Sequence, residues 1–430
     1  MSQLRLGVKL KLELILPSWQ KAKWPKKIYP SHLSLPVLAA LTPPDVEVSA
    51  TEEEIEDVIY KDDVDLVGIS FMTPFAHRAY EIGDGYRRRG VKVVLGGVHA
   101  TALPGEAIEH ADAVVIGEAE NIWARVIEDC KKNSLKKFYR SDEPAALNNL
   151  PVPRRELSGK KIPFSPLSIQ TSRGCPFSCE FCCVTDFFGG KFRTRPIRDV
   201  IEEIAISGNR NWIFVDDNII GNPGYAKKLF RELAALKIRW IGQSSLLIAR
   251  NRELLKLAAK SGCFGLFIGF ESLNPENLYA VGKHFNKVET YEEDVKTIND
   301  SGIMIQASFI FGFDRDDSDV FERSVEFLIE NKICIASLCV LTPFPGTKLY
   351  KRLEKEGRIL TRDWSKYDYG TSVFTPKLMT SQQLEKGARW ACQEFYSIPS
   401  IISRFSRNRH HPLVYAMTNW SYRAKHKSNS

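Results

Sequence analysis

The sequence predicts an α/β chain in two parts: a doubly wound parallel-sheet domain, then a partial (βα)6 barrel, ending in a small, mainly helical C-terminal region. Three observations carry this. Short apolar runs alternate with segments of helical spacing along most of the length, as buried parallel strands joined by crossover helices do. A polar stretch broken by Pro144, Pro151, Pro153, Pro163 and Pro166 divides that alternation into two series, as a linker would. At 430 residues the chain also exceeds what one hydrophobic core supports, so two or three domains are expected.

In the first series the strands are 12–16, 46–49, 64–71, 91–95 and 113–116, with helices over 52–60, 76–89 and 118–130. Ligands of such sheets sit beyond the strand C-terminal ends, at the point where strand order reverses. Those ends carry Ser70, Phe71, Met72 and Thr73, then Gly96, Gly97, Val98 and His99. Adjacent glycines let a backbone approach a ligand closely or make a tight turn. In the second series the strands are 167–171, 212–215, 240–244, 266–270, 303–311 and 334–341, with helices over 197–207, 225–236, 252–261, 288–301, 318–331 and 347–356. Six units make an open barrel, whose chemistry belongs at the strand C-terminal ends. The expected boundaries are 1–135, a linker over 136–165, the barrel over 166–360 and a C-terminal region over 361–430.

A composition 43% hydrophobic and 26% charged is that of a folded protein. No run reaches the roughly 18 apolar residues of a membrane span. Arg5, Lys9, Lys11 and Glu13 among the first leucines suit a strand better than a cleavable signal, so a cytoplasmic location is expected. Cys130, Cys263, Cys334, Cys339 and Cys392 lie in mostly apolar contexts, as small core residues do. The net charge of +8 is concentrated at the end: residues 401–430 hold Arg404, Arg407, Arg409, Arg423, Lys425 and Lys427 with no Asp or Glu. Interleaved with Ile401, Ile402, Phe405, Leu413, Val414 and Trp420, they form either a solvated helix or a basic amphipathic surface for a membrane or RNA, nucleic acid being the weaker reading.

Three further cysteines, Cys175, Cys179 and Cys182, follow the first barrel strand on a loop opened by Gly174. Such crowding in a long cytosolic chain points to metal rather than disulfides. Iron–sulfur clusters normally take four cysteines, so a three-cysteine loop leaves one iron open to an external ligand. Cys183 is an alternative fourth ligand, disfavoured because adjacent cysteines rarely both face one cluster. Zinc is the competing metal, but no second Cys-x-x-Cys or Cys/His pair accompanies the loop.

Cys175-x-x-x-Cys179-x-x-Cys182, with Phe181 before the last cysteine, resembles the signature of the radical S-adenosylmethionine superfamily. The resemblance implies a 4Fe-4S cluster on these cysteines, S-adenosylmethionine on its open iron and Phe181 beside the adenine. Asp216, Asp217 and Asn218 stand where that family places polar groups for the methionine amine, commonly Gly-Gly-Glu; this form is associated with the subgroup fused to cobalamin domains. Gln243, Glu271, Ser308 and Gly312, at the following strand ends, are the further S-adenosylmethionine contacts it implies. By itself Glu271 reads as an acceptor for a ribose or ammonium, or as a helix cap. Arg193 and Arg195 suit an anion or an anchor for the loop, and residues 342–347 a rigid turn.

The first domain resembles the flavodoxin/Rossmann-like cobalamin-binding domain of that subgroup, with Ser70, Met72, Thr73, Gly96, Gly97, His99 and Thr101 bordering the corrin and its nucleotide tail. The Asp-x-His-x-x-Gly motif that supplies a lower histidine ligand elsewhere is absent. Together the resemblances imply cleavage of S-adenosylmethionine to a 5′-deoxyadenosyl radical, substrate hydrogen abstraction and cobalamin-dependent methylation of an unactivated carbon. The alternatives are cobalamin-independent cyclisation, epimerisation or oxidation over a scaffold domain and, in another class, a non-catalytic iron–sulfur or RNA-binding protein. The expected partners are a lipid, isoprenoid or tetrapyrrole substrate, an electron donor such as flavodoxin or ferredoxin, and a membrane surface met by the basic tail. Trp364, Tyr367, Tyr369, Phe374, Trp390, Phe395 and Tyr396 either cover that substrate or make a small core.

Overall fold

The chain divides into two compact units, residues 1–168 with 186–189 and residues 169–185 with 190–430. They are taken from a computed structural model, which describes residues 9–18, 32–157, 165–406, 408 and 410–427. Arg5, Pro163, Arg407 and Arg409 lie outside the described residues.

The first unit is built on β1 (Leu10–Leu16), β2 (Val46–Glu52), β3 (Leu66–Ser70), β4 (Lys92–Gly96), β5 (Ala113–Ile116) and β6 (Phe138–Arg140). Their order is β2-β1-β3-β4-β5-β6, every neighbouring pair parallel. This is the flavodoxin-like order, whose direction reverses between β1 and β3. Leu12, Leu14, Leu66 and Val94 bury against Trp123, Val126 and Ile127 of the helix Trp123–Lys131. The Trp123 indole N–H donates to Thr42 Oγ1 at 2.9 Å, so the largest ring of this core leaves no donor unpaired.

Two expectations fail here. Residues 52–60 form a turn rather than a helix, because Glu53 is drawn off to the Arg78 guanidinium (2.6 and 2.8 Å) and the Ser18 N–H (2.9 Å), and Ile59 faces solvent with no core to cover. The crossover from β1 to β2 carries a helix over Ser34–Leu41 instead. Nor is the stretch over 136–165 merely a linker: it supplies β6, buries Ala145 and Leu147, and returns an N–H from Arg154 to the Pro36 carbonyl at 3.0 Å.

The second unit contains β7 (Leu167–Ile169), the short antiparallel pair β8 (Ser172–Arg173) and β9 (Arg193–Thr194), then β10 (Asn211–Phe214), β11 (Arg239–Ser244), β12 (Cys263–Glu271), β13 (Met304–Phe311) and β14 (Ile335–Val340). The main sheet runs β14-β13-β12-β11-β10-β7 with β7 and β14 at its ends, so the barrel is open, as expected from six units. The helices Ile197–Ser207, Pro223–Ala235, Arg252–Lys260, Tyr291–Asp300, Val320–Glu330 and Lys348–Lys355 fall where helical spacing predicts them. Asn222, Asn251 and Thr347 start three of them, each side chain accepting a backbone N–H two or three residues into the helix. Trp212, Phe214, Phe230, Trp240 and Phe270 are fully buried.

The C-terminal helices Ser381–Phe395, Ile398–Phe405 and Pro412–Lys427 belong to this second unit. Arg404 locks them in place. With no exposed surface, it donates to the carbonyls of Ile333, Cys334 and Phe395 and to Asn419 Oδ1, and its guanidinium lies 3.7 Å over the Phe395 ring. The Tyr422 hydroxyl lies 3.5 Å from Gln306 Nε2 on β13. Of the seven aromatics named for this region, Trp364, Tyr367, Phe374, Phe395 and Tyr396 are core, and only Tyr369 and Trp390 are exposed.

Candidate active site and cofactor cradle

The cysteine loop leaves β8 through Gly174, whose φ is +85° and where a Cβ would run into the Lys191 carbonyl; glycine is required for both angle and room. The Gly174 N–H donates to Asp217 Oδ2 at 3.0 Å. The far side of the loop is pinned by Glu180, whose N–H reaches the Val281 carbonyl and whose carboxylate takes the Arg352 fork at 2.7 and 3.1 Å. Phe177 stacks on Phe285 at 3.7 Å. Cys175, Cys179 and Cys182 are held on this loop as partly exposed free thiols. Burial pushes all three up, and the nearby Lys283 ammonium opposes that rise at Cys175 and Cys179. Among the described residues, no three His, Cys, Asp or Glu side chains converge as a single ion demands. Thiolates spread along a loop suit the separate corners of a four-iron cubane, and a buried lysine beside them suits its negative charge.

That lysine belongs to a buried polar group that the sequence reading named only in part. β12 shifts register between Gly269 and Glu271, and Glu271 takes a φ of +68°, rare for a residue with a side chain. Its carboxylate, 5% exposed, pairs with Lys283 Nζ and lies 3.4 Å from the Ser308 hydroxyl on β13. A Cβ at Gly269 would run into both members of the ion pair, so the glycine makes their space. Lys283 went unrecognised because it follows a short helix, Pro275–Ala280, and carries no motif of its own. The Asn286 amide donates to the Gly269 and Phe270 carbonyls and fixes the same strand end.

The Asp216-Asp217-Asn218 run divides its labour. Asp216 is fully buried and accepts from the Thr171 N–H (3.0 Å), the Thr171 hydroxyl (2.8 Å) and the Ser172 hydroxyl (2.5 Å), so it ties the base of the cysteine loop. Asp217 holds Gly174 and is pushed up to about 6 by burial. The Asn218 side chain hydrogen-bonds the Cys175 thiol and accepts the Ser245 N–H at 3.4 Å. Gln243 is exposed on β11, in register with Phe267, and Phe267 with Gln306. Gly312 has a φ of +106°, and its N–H is already given to Asp316 Oδ2 at 2.9 Å, so this glycine shapes the loop and offers no free donor. Phe181 is half-buried, 6.2 Å from the Phe313 ring. Arg195 anchors: it pairs with buried Glu203 at 2.7 Å and donates to the Gln170 carbonyl.

Tyr369 joins this side of the unit. Its φ is +64°, its carbonyl accepts the Val340 N–H at 2.7 Å, its ring meets Phe344 edge-on at 5.2 Å, and, though the residue as a whole is half-exposed, its phenol is pushed up by burial and lies near Cys182, Cys183 and Cys339.

In the first unit, Ser70, Gly96 and Gly117 lie at the carboxyl ends of β3, β4 and β5. Gly97 has a φ of +95°, and a Cβ there would stand 2.5 Å from the Phe71 carbonyl oxygen and 2.7 Å from its nitrogen. Beyond β5 a Cβ on Gly117 would meet nothing within 4 Å, so this edge presents bare backbone to open space, as a cofactor cradle requires. Ser70, Gly96, Gly97 and Thr101 are half-buried along it, and Met72 is exposed. Thr73 and His99 are not on its surface: both are buried, joined to each other at 3.1 Å, with the second ring nitrogen of His99 3.4 Å from Glu106. The two underpin the loop, and His99 has no exposed atom with which to touch a corrin.

A three-thiol loop at the carboxyl edge of an open parallel barrel, in one chain with a flavodoxin-ordered unit whose own edge is a bare cradle, defines a radical S-adenosylmethionine enzyme with a cobalamin-type domain. The comparisons agree. The Radical SAM superfamily pattern matches residues 169–328 and the B12 binding domain pattern residues 40–127. Over 386 residues, 86% of this chain and 84% of the other, 33% are identical to bacteriochlorophyllide d C-12(1)-methyltransferase of Chlorobaculum tepidum. The C-8(2)-methyltransferase of the same organism is also 33% identical, over 78% of this chain and 79% of its own. The fold superposes on the cobalamin-dependent S-adenosylmethionine radical enzyme OxsB, solved with aqua-cobalamin and S-adenosylmethionine, with a TM-score of 0.70 and 16% identity over 97% of this chain and 72% of that one. The chain belongs to the radical S-adenosylmethionine enzymes that carry an N-terminal B12-binding domain. Its cofactors are accordingly a 4Fe-4S cluster, S-adenosylmethionine and cobalamin, and the non-catalytic iron–sulfur or RNA-binding reading falls. Among the described residues no helix is long and apolar enough to cross a membrane.

Proposed function

We propose that the chain is a cobalamin-dependent methyltransferase acting on an unactivated carbon of a tetrapyrrole. The observation that carries this reading is its match, over most of both chains, to two enzymes named for methylating bacteriochlorophyllide d at different positions. When bound, the cluster and S-adenosylmethionine supply a 5′-deoxyadenosyl radical and cobalamin supplies a methyl group.

The protein's own residues bind, orient and exclude water. Cys175, Cys179 and Cys182 would hold three corners of the cluster. Glu271, charged and fixed by Lys283 and Ser308, offers acceptors to a ribose or ammonium, and Phe181 offers a face to the adenine. Ser70, Gly96, Gly97 and Thr101 would lie along the corrin, with Met72 as an apolar contact. Gln243, exposed on β11, and Tyr369, near the cysteine loop, would be the polar groups available to a substrate. A flavodoxin- or ferredoxin-type donor would reduce the cluster.

Anaerobic reconstitution with cobalamin, S-adenosylmethionine and bacteriochlorophyllide d tests the reading by product mass. Methylated pigment together with 5′-deoxyadenosine and S-adenosylhomocysteine is expected. Deoxyadenosine without S-adenosylhomocysteine, and pigment modified without a mass gain of one methylene, would move the assignment to radical cyclisation or oxidation.

A further inference from the structure

We infer that the outer face of the last two helices docks on an anionic lipid surface. The helix Pro412–Lys427 buries Tyr415 and Asn419 against the second unit and turns Leu413, Met417 and Trp420 outward, 77%, 62% and 68% exposed. Their spacing of four and then three residues places them in one stripe, so this helix is apolar on its outer face as well as on its inner one. Its neighbour Ile398–Phe405 repeats the pattern with Ile398, Ile402 and Phe405. The two are packed together: the Tyr415 hydroxyl donates to the Ile401 carbonyl at 2.6 Å, and the Phe405 and Tyr415 rings lie 5.5 Å apart. Six of the sixteen exposed large apolar side chains among the described residues fall within residues 398–420, a concentration that scattered surface residues do not show. Nor is this a frayed end, since the buried Arg404 fastens both helices to the Ile333 and Cys334 carbonyls just before β14.

Charge selects the occupant. From residue 395 to 430 the sequence has no Asp or Glu, whereas Lys425 and Lys427 follow the stripe; Arg423 is instead turned back to the Tyr396 carbonyl at 2.9 Å. A second copy would meet the same patch about a two-fold axis and set cation against cation. An anionic bilayer satisfies both features, taking the apolar stripe at the headgroup boundary and the cations at the phosphates. Since no described helix is long and apolar enough to span, the contact lies on the membrane rather than across it.

The test is co-sedimentation of the full-length, cluster-loaded protein with sucrose-loaded vesicles. Binding is expected to vesicles of phosphatidylglycerol with phosphatidylcholine, weaker on the order of tenfold to phosphatidylcholine alone, and to fade as added salt screens the charges. The double variant L413E/W420E should lose on the order of tenfold in binding while still cleaving S-adenosylmethionine. If that variant folds poorly, Ile402→Glu asks the same question from the neighbouring helix. No binding to anionic vesicles overturns the inference, as does equal binding by folded variants. A concentration-dependent dimer that L413E/W420E dissolves would also overturn it by making a second copy the occupant.

Discussion

Lys283→Met keeps the length of the side chain and removes its charge, leaving the Glu271 carboxylate 5% exposed with the Ser308 hydroxyl at 3.4 Å as its remaining described partner. Breaking a buried ion pair from one side costs about 3–5 kcal/mol, because the stranded charge keeps its desolvation penalty. Removing both charges avoids that penalty, so the double variant with Glu271→Gln should recover most of the loss, a coupling of about 2–3 kcal/mol. Gln at position 271 meets the same positive φ as Glu, so the backbone strain cancels in the comparison. Activity should not recover with stability, because the double variant still lacks the cation beside the cysteine loop and the carboxylate beside the expected ribose. The assay is anaerobic thermal unfolding of the two single variants and the double, alongside the rate of 5′-deoxyadenosine formation. Additive losses, with the double less stable than either single, would refute the pairing. A double variant with restored cleavage would refute the functional role and leave a purely structural one.

Other positions give independent checks. Cys183→Ser should keep the cluster's visible absorbance, and Cys175→Ser, Cys179→Ser or Cys182→Ser should each lose it; loss with Cys183→Ser would restore the fourth-ligand alternative. Burial pushes the Asp316 carboxyl up from 3.8 to about 6, so its stabilising contribution is greatest below about pH 4 and declines as pH rises through 6, by about 3 kcal/mol at 1.36 kcal/mol per unit. Denaturant unfolding of Asp316→Asn against the native chain at both ends of that range should show the native excess slope, and parallel curves would disprove the assignment. Gly97→Ala forces a Cβ onto the Phe71 backbone, so equilibrium dialysis should show weakened cobalamin binding while S-adenosylmethionine is still cleaved; unchanged cobalamin affinity would remove this loop from the cradle.

What was legible in the sequence is what depends on neighbours along the chain. The cysteine spacing is local, so the cluster loop could be placed at once, and strand alternation located both carboxyl edges, where most candidate site residues fall on a strand end or the loop after it. What was not legible depends on partners brought by the fold. Glu271 gains its role through a register shift in β12 and a lysine 12 residues away, neither of which has a sequence signature. Asp216, Asp217 and Asn218 are equally polar in sequence, but successive side chains point apart: one takes the hydroxyls of the loop base, one the Gly174 N–H and one a cysteine thiol. His99 was set beside the corrin by the resemblance of its domain, and only the fold reports that it is buried against Thr73 and Glu106. The helix expected over 52–60 had the right spacing and no surface to pack on, which periodicity alone does not report.

Three of the buried carboxylates share one task. Asp216 accepts the Thr171 N–H, Asp217 the Gly174 N–H, and Asp316 both the Gly312 and Phe313 N–H groups, each where the chain has just left a strand and its backbone donors have lost their ladder partners. Burial disfavours the charge at all three, and their carboxyls are pushed up accordingly. That cost is tolerated because a loop with unpaired N–H groups would be free to move, and a radical generated beside it would then meet water or the wrong hydrogen. In the structure these three acids therefore act as fasteners of the loops they cap. The groups we propose to face ligands are fewer: the three thiols, Phe181, Glu271 with its lysine, Ser308, Gln243 and Tyr369. A substitution at a fastener should damage every step alike, whereas one at Tyr369 should change how many radicals are spent for each product formed and leave cleavage of S-adenosylmethionine intact.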